Sequence, residues 1–156
     1  MFDLIAPAGP PSPVIISVPH AGRAYPPEMA AMLRVPMSKM VALEDRHVDL
    51  LAANAAETGA GLIVARTPRA WIDLNRAESD FDPAMIDPPI GLGRQPSTKV
   101  RGGLGLVPRR LPGIGDLWRG PISRAALDER IETFHRGYHG KLAALIEERR
   151  ARFGIA

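Results

Sequence analysis

The stretch Arg69-Ala-Trp-Ile-Asp73-Leu-Asn75-Arg76 places planar, always-charged guanidinium groups beside an amide and a carboxylate within one short apolar segment. An arginine fork matches a carboxylate in both geometry and charge, and a neighbouring asparagine adds a donor to the same anion. The segment therefore reads as a grip for a carboxylate-bearing small molecule. A second reading stays open on these eight residues alone: a strand end whose arginine pairs with a local aspartate.

About fifty residues upstream, Val14-Ile-Ile-Ser-Val18-Pro19-His20-Ala21-Gly22-Arg23-Ala24-Tyr25-Pro26 is a β-branched run that stops at proline and delivers a histidine into a Gly/Pro-rich turn. A short apolar run bounded by turn signals fits an inner strand of a parallel sheet, and ligands gather where the carboxyl ends of such strands open. His20 is thus well placed for chemistry, as a hydrogen-bonded structural residue or as a metal ligand. Candidate partners follow in Val41-Ala-Leu-Glu44-Asp45-Arg46-His47-Val48-Asp49-Leu50-Leu51. Leu43, His47 or Val48, Leu51 and Ala55 recur at helical spacing, which predicts an amphipathic helix over 41–57. Glu44 and Asp45 would then sit in its first turn, where the macrodipole favours acids with no metal involved.

Taken in order, Pro19-His20-x-Gly22-x-x-Tyr25-Pro26, then Glu44-Asp45-Arg46-His47-Val48-Asp49, then Arg69-x-x-Ile72-Asp73-Leu74-Asn75-Arg76 resembles the N-formylglutamate amidohydrolases over most of residues 13–153. These are metal-dependent enzymes that release formate from N-formylglutamate in histidine breakdown. Asp73-Leu-Asn-Arg76 alone also resembles the aspartoacylase and succinylglutamate desuccinylase group of the wider zinc carboxypeptidase-like set. Both resemblances imply zinc-assisted hydrolysis of an N-acyl amide on an acidic amino acid.

Carried over residue by residue, the resemblance implies that His20 is a zinc ligand and Asp45 the carboxylate ligand, with Glu44 as the alternative. Asn75 and Arg76 would hold the substrate carboxylate, and Arg69 would polarise the scissile carbonyl and stabilise the oxyanion. Catalytic zinc usually keeps three protein ligands and one open position, where water is acidified to a pKa of about 7. Deformylation further needs an oxyanion stabiliser and an acid for the leaving amine.

Two departures qualify the resemblance. The zinc carboxypeptidase-like relatives carry His-x-x-Glu, whereas His20-Ala-Gly-Arg23 has an arginine in the fourth place, and arginine does not bind zinc; this moves the carboxylate to Asp45. The family pattern also continues past its long final helix to a further histidine, so the chain reads as incomplete at its C-terminus. His47, His139, water or a partner chain would then complete the coordination around His20. His135 and His139 share one helical face. Without the intervening glutamate of His-Glu-x-x-His, that pair reads as helix-surface histidines rather than as a ligand pair. The alternative function is a non-catalytic carboxylate-binding or assembly protein derived from the family by loss of its C-terminal half.

The elements that must position these residues are read as strand 14–18, a short helix near 27–34, the helix 41–57, and strands 62–66 and 71–74. That order predicts an α/β fold: a mixed or mostly parallel sheet flanked by helices, by resemblance zinc carboxypeptidase-like (phosphorylase/hydrolase-like), in a single domain over 1–156. From 77 to 122, prolines such as Pro83, Pro88 and Pro112 alternate with glycines such as Gly91 and Gly113, which predicts a long loop without regular elements. Such loops are often functional, and Lys99-Val-Arg101-Gly-Gly offers Arg101 to a substrate anion; a mobile surface loop is the other reading. Over 123–153 a last helix runs from an N-cap at Ser123 to a stop at Gly154. Its core stripe is Leu127, Ile131, Phe134, Tyr138, Leu142, Leu145 and Ile146, with a kink or close packing contact expected near Gly137 and Gly140.

Composition bounds the rest. A chain of 156 residues with 46% hydrophobic content suits one domain with a core. The absence of cysteine excludes disulfides and a thiolate metal site, and with no basic, apolar leader at Met1-Phe-Asp-Leu-Ile the default expectation is cytoplasmic. Three lysines leave 17 of the 20 basic residues as arginine, but these are scattered among 17 acids and aromatics are only 5%. No basic stripe or stacking platform for nucleic acid results. The expected partner is a small-molecule carboxylate, with neither nucleic acid nor membrane. Apolar surface left by a missing half would favour a homo-oligomer.

Overall fold

The computed structural model describes residues 1–89, 91 and 95–154; positions 90 and 92–94 of the expected 77–122 loop, and 155–156 at the chain end, lie outside the described residues. The centre is a three-stranded sheet in which β1 (Phe2–Ile5) and β2 (Ile15–Val18) flank β3 (Gly61–Ala65). β3 runs parallel to β2 and antiparallel to β1, so the sheet is mixed. Every residue of β3, Gly-Leu-Ile-Val-Ala, is buried, as a continuous apolar run demands of an inner strand. β1 was not anticipated from the sequence: Phe2-Asp-Leu-Ile5 is too short and too irregular in pattern to signal a strand before its partner is known.

Short helices follow β2: α1 (Met29–Met32), a 3₁₀ stretch (Met37–Leu43), α2 (Val48–Ala53) and a further 3₁₀ turn (Asn54–Ala56). The single helix expected over 41–57 is therefore broken. Glu44 is extended (φ −95°, ψ 130°) and His47 is left-handed (φ 68°), so Glu44 and Asp45 lie in a connecting turn rather than at a helix start. Of the expected apolar face, Leu43 is buried, but Val48 and Leu51 are 37% and 76% exposed, while Asp49 is buried against Arg23.

The strand expected at 71–74 is instead a buried turn, with Trp71 N–H donating to the Pro68 carbonyl and Asp73 N–H to Leu106 O. The segment 77–122 is not featureless as expected. It carries a 3₁₀ turn (Pro83–Met85), β4 (Ile86–Asp87), α3 (Thr98–Arg101) and β5 (Arg110–Leu111) paired with β6 (Gly115–Asp116). β4 pairs with β7 (Ile122–Ser123), which enters the C-terminal helix.

That helix begins as expected, with Ser123 Oγ accepting from Ala126 N–H, and ends at left-handed Gly154 (φ 62°). It comprises α4 (Arg124–Arg130), a π segment (Ile131–Arg136) and α5 (Gly137–Phe153). A wide π turn lies just before Gly137. No close packing explains the glycines, since a Cβ at Gly137 or Gly140 would meet open space. Ile146, placed on the core stripe, is 42% exposed. Tyr138 fastens the helix to the sheet: 1% exposed, it shares a 2.8 Å hydrogen bond with Ser17 Oγ and approaches the Ile63 carbonyl at 3.3 Å. No described helix is long and apolar enough to cross a membrane.

Candidate active site

Because β2 and β3 are parallel, their carboxyl ends open at the same edge of the sheet. The turn after β2 carries His20, and the turn that follows β3 by a few residues carries Arg69 to Arg76. Gly22 allows the two loops to touch. A Cβ there would lie 2.0 Å from the Thr67 carbonyl oxygen, and the contact is completed by Ala24 N–H donating to Arg66 O at 2.9 Å. Only a residue without a side chain permits this approach.

The centre of the site is Asp73, 0% exposed in a run of buried neighbours, Ala70, Trp71, Ile72 and Leu74. Its Oδ1 lies 2.8 Å from His20 Nε2 and accepts the Asn75 backbone N–H at 2.9 Å; its Oδ2 accepts from Arg69 Nε at 2.9 Å and faces Arg76 Nε at 3.8 Å. Burial alone would raise the Asp73 pKa. The hydrogen bond from His20, the Arg69 and His20 charges and the Asn75 amide more than reverse this and hold it below the usual carboxylate value. An ionised Asp73 can only accept, so His20 presents Nε2–H to it. Nδ1 of His20 then points at Asp45 Oδ2, 3.3 Å away.

Asp45 is kept there by its turn. Its backbone N–H donates to the His20 carbonyl at 3.0 Å. The preceding Glu44 is clamped by the Tyr25 hydroxyl, which donates to Oε1, and by Arg46 Nε at 2.6 Å from Oε2. Burial opposes ionisation of Glu44, but its bonds to Tyr25 and Arg46 lower its pKa, while burial and the Glu44 carboxylate push Tyr25 up. Glu44, the alternative metal ligand, is thereby committed to structural contacts, and Arg23 is committed to Asp49 at 2.7 Å.

The structure therefore brings His20, Asp45, Arg69, Asn75 and Arg76 around Asp73. Arg69 spends Nε on Asp73, so its terminal nitrogens are what it can offer a substrate. Arg76 is oriented by bonds from Nε to Leu104 O (3.1 Å) and from Nη1 to Asn75 O (3.0 Å). Asn75 is exposed beside it. Arg101, on α3, donates locally to Pro96 O at 2.6 Å and Thr98 Oγ1 at 3.0 Å.

A metal fits part of this arrangement. Two donors about 2.0–2.2 Å from a tetrahedral zinc are about 3.3–3.5 Å apart, which matches His20 Nδ1 and Asp45 Oδ2. With Nε2 committed to Asp73, Nδ1 is the His20 nitrogen left facing the Asp45 carboxylate, so the two side chains present a nitrogen and an oxygen to one point between them. Asp73, 2.8 Å behind Nε2, stands where an outer carboxylate would orient a metal-binding histidine. Among the described residues no group of three or more His, Asp or Glu side chains is arranged to hold a metal ion, so neither His47 nor His139 joins the pair as a ligand.

The model of the N-formylglutamate amidohydrolase family matches residues 12–156. The chain belongs to the N-formylglutamate amidohydrolase family. A solved structure, the N-formylglutamate amidohydrolase from Ralstonia eutropha JMP134, is similar to it at 31% identity with a TM-score of 0.90, covering 99% of this chain and 55% of that one. The chain thus spans little more than half the length of that relative. No curated protein matches it.

Sequence reasoning saw Asp73 as part of the grip and missed that it joins the grip to His20. It also treated His135 and His139 as surface residues. His135 is 6% exposed, and its Nε2 lies 2.7 Å from Arg76 O, while His139 Nε2 lies 2.8 Å from Leu74 O. Burial lowers the His135 pKa, outweighing the bond to Arg76 O that raises it. The four-residue spacing of the two rings was the available signal; their target was not. Arg130, 3% exposed, supports the same turn from α4: its guanidinium lies 3.3 Å from the Trp71 ring centroid and Nη1 donates to Trp71 O at 3.1 Å. Burial pushes its pKa down to about 10.

Proposed function

We propose that the chain serves hydrolysis of the N-formyl amide of an acidic amino acid, N-formylglutamate to formate and glutamate, on a zinc carboxypeptidase-like framework. The observation that carries this reading is the hub at Asp73, whose carboxylate touches both His20 and Arg69. In the proposed mechanism Asn75 and Arg76 bind the substrate carboxylate, and this places the formyl group near Arg69. The terminal nitrogens of Arg69 stabilise negative charge as it develops on the formyl oxygen. Asp73 fixes Arg69 and His20 relative to each other, so this stabilisation requires little reorganisation. His20 and Asp45 would hold zinc, which when bound supplies Lewis acidity and acidifies water.

The test is formate release from N-formylglutamate by protein with measured zinc content. Turnover that is lost in Arg69→Ala, with zinc content retained, is expected. A zinc-free wild-type protein with no turnover, even after zinc is added, overturns the reading. Glutamate binding lost in Arg76→Ala would then favour the non-catalytic carboxylate-binding alternative, consistent with only two candidate ligands gathering among the described residues.

A further inference from the structure

We propose that His135 and His139 are positioning residues that set the substrate-carboxylate grip by holding the carbonyls on either side of Asn75; this rests on the reading that Asn75 and Arg76 bind that carboxylate. His139 Nε2 meets Leu74 O at 2.8 Å and His135 Nε2 meets Arg76 O at 2.7 Å. A carbonyl only accepts, so each ring donates Nε2–H. The rings lie against each other, centroids 4.4 Å apart, and form one two-pronged clamp. Among the described residues, the bond from Nε2 to Arg76 O is the hydrogen bond that His135 makes. Its Nδ1 is buried without a hydrogen bond, and Glu78 Oε1 at 3.7 Å is beyond hydrogen-bonding distance.

The helix is built to present both rings. In a regular helix of 3.6 residues per turn, the three four-residue steps from Leu127 through Ile131 and His135 to His139 would drift by about 120°. The wide π turn at Ile131–Arg136 takes up this drift and keeps both rings toward 74–76. Such insertions recur at functional sites. Tyr138, bonded to Ser17 on β2, fixes the same turn of helix to the strand that delivers His20. The clamp thus ties the grip to the sheet. Asp73 holds this turn from the other side, through the Asn75 amide.

The experiment compares His135→Leu and His139→Leu with His135→Gln and His139→Gln, because a glutamine amide reaches the Nε2 position. Loss of one such hydrogen bond predicts a rise in KM for N-formylglutamate of about five- to tenfold in the Leu variants, with kcat little changed and the Gln variants close to wild type. A purely structural role would lower Tm and the active fraction without this split. If a Leu variant does not fold, the corresponding Asn variant, whose amide reaches only as far as Nδ1, replaces it with the same expectation. Unchanged KM in folded Leu variants, or equal effects of Leu and Gln, overturns the proposal. Hydrogen exchange at the Asn75 and Arg76 amides gives a readout independent of catalysis. Faster exchange in Leu but not Gln variants supports the clamp and unchanged exchange overturns it, even if the wild type neither cleaves N-formylglutamate nor binds glutamate and the functional reading fails.

Discussion

His20 Nε2 and Asp73 Oδ1, 53 residues apart in the chain, lie 2.8 Å apart in a site from which Asp73 is wholly shielded from solvent. This contact makes one unit of two motifs. It fixes which His20 nitrogen faces Asp45, and it helps to hold ionised a carboxylate whose pKa burial alone would raise.

Removing that carboxylate leaves His20 and Arg69 without their common partner. Asp73→Ala is expected to cost about 3–5 kcal/mol at neutral pH, as for other broken buried ion pairs. The folded-state pKa is depressed, so the contribution of ionisation is present above the unfolded value of about 3.9 and is lost as pH falls through the folded value. Denaturant titrations of the wild type and Asp73→Asn at pH 7 and pH 3.5 check this. A stability gap that does not narrow in acid rejects it.

His135 provides a second pH dependence in a different window. Its pKa is lowered by burial, with His139 and Arg136 also lowering it and the Arg76 carbonyl and Glu78 opposing. The folded state therefore takes up a proton less readily than the unfolded chain. Stability from this group is full above about pH 6.5 and is lost as pH falls through the depressed value. Melting curves between pH 8 and pH 5 should fall less steeply for His135→Gln than for the wild type; parallel profiles would contradict the assignment.

At Gly22 the two site loops are in backbone contact. Gly22→Ala places a methyl group 2.0 Å from Thr67 O and 2.7 Å from the Arg66 carbonyl carbon. Forcing the loops apart is expected to cost about 1–3 kcal/mol, and to reduce turnover because His20 and Arg69 ride on opposite sides of the contact. Calorimetry with an activity assay measures both, and an unaltered Tm would show that the loops separate freely.

Zinc binding should depend on these side chains in a graded way. His20→Ala is expected to abolish it and Asp45→Ala to weaken it strongly. Asp73→Asn should weaken it by about 10- to 100-fold through the orientation of His20. Competition against a chromophoric chelator ranks the variants, and equal affinity in the wild type and His20→Ala would remove His20 from the metal site.

The sequence by itself determined the local chemistry and the covalently adjacent order: the Asp73-Leu-Asn-Arg76 segment that sets carboxylate, amide and guanidinium side by side, the strand that stops at Pro19 and delivers His20, the Ser123 cap and the Gly154 stop. These rest on interactions within a few residues, which composition and spacing express directly. Only the tertiary structure decided that Asp73 is the hub, that residues 41–57 break so that Asp45 faces His20, and that β1 completes the sheet. It also decided that His135 and His139, 59 and 65 residues from their acceptors, hold the Asn75 turn. Helical periodicity failed at Val48 and Leu51 because burial there follows the Arg23–Asp49 ion pair rather than the apolar stripe. A buried carboxylate and a histidine that donates to a distant carbonyl leave no periodic trace in the sequence, since the partner that satisfies each is brought near only when the chain folds.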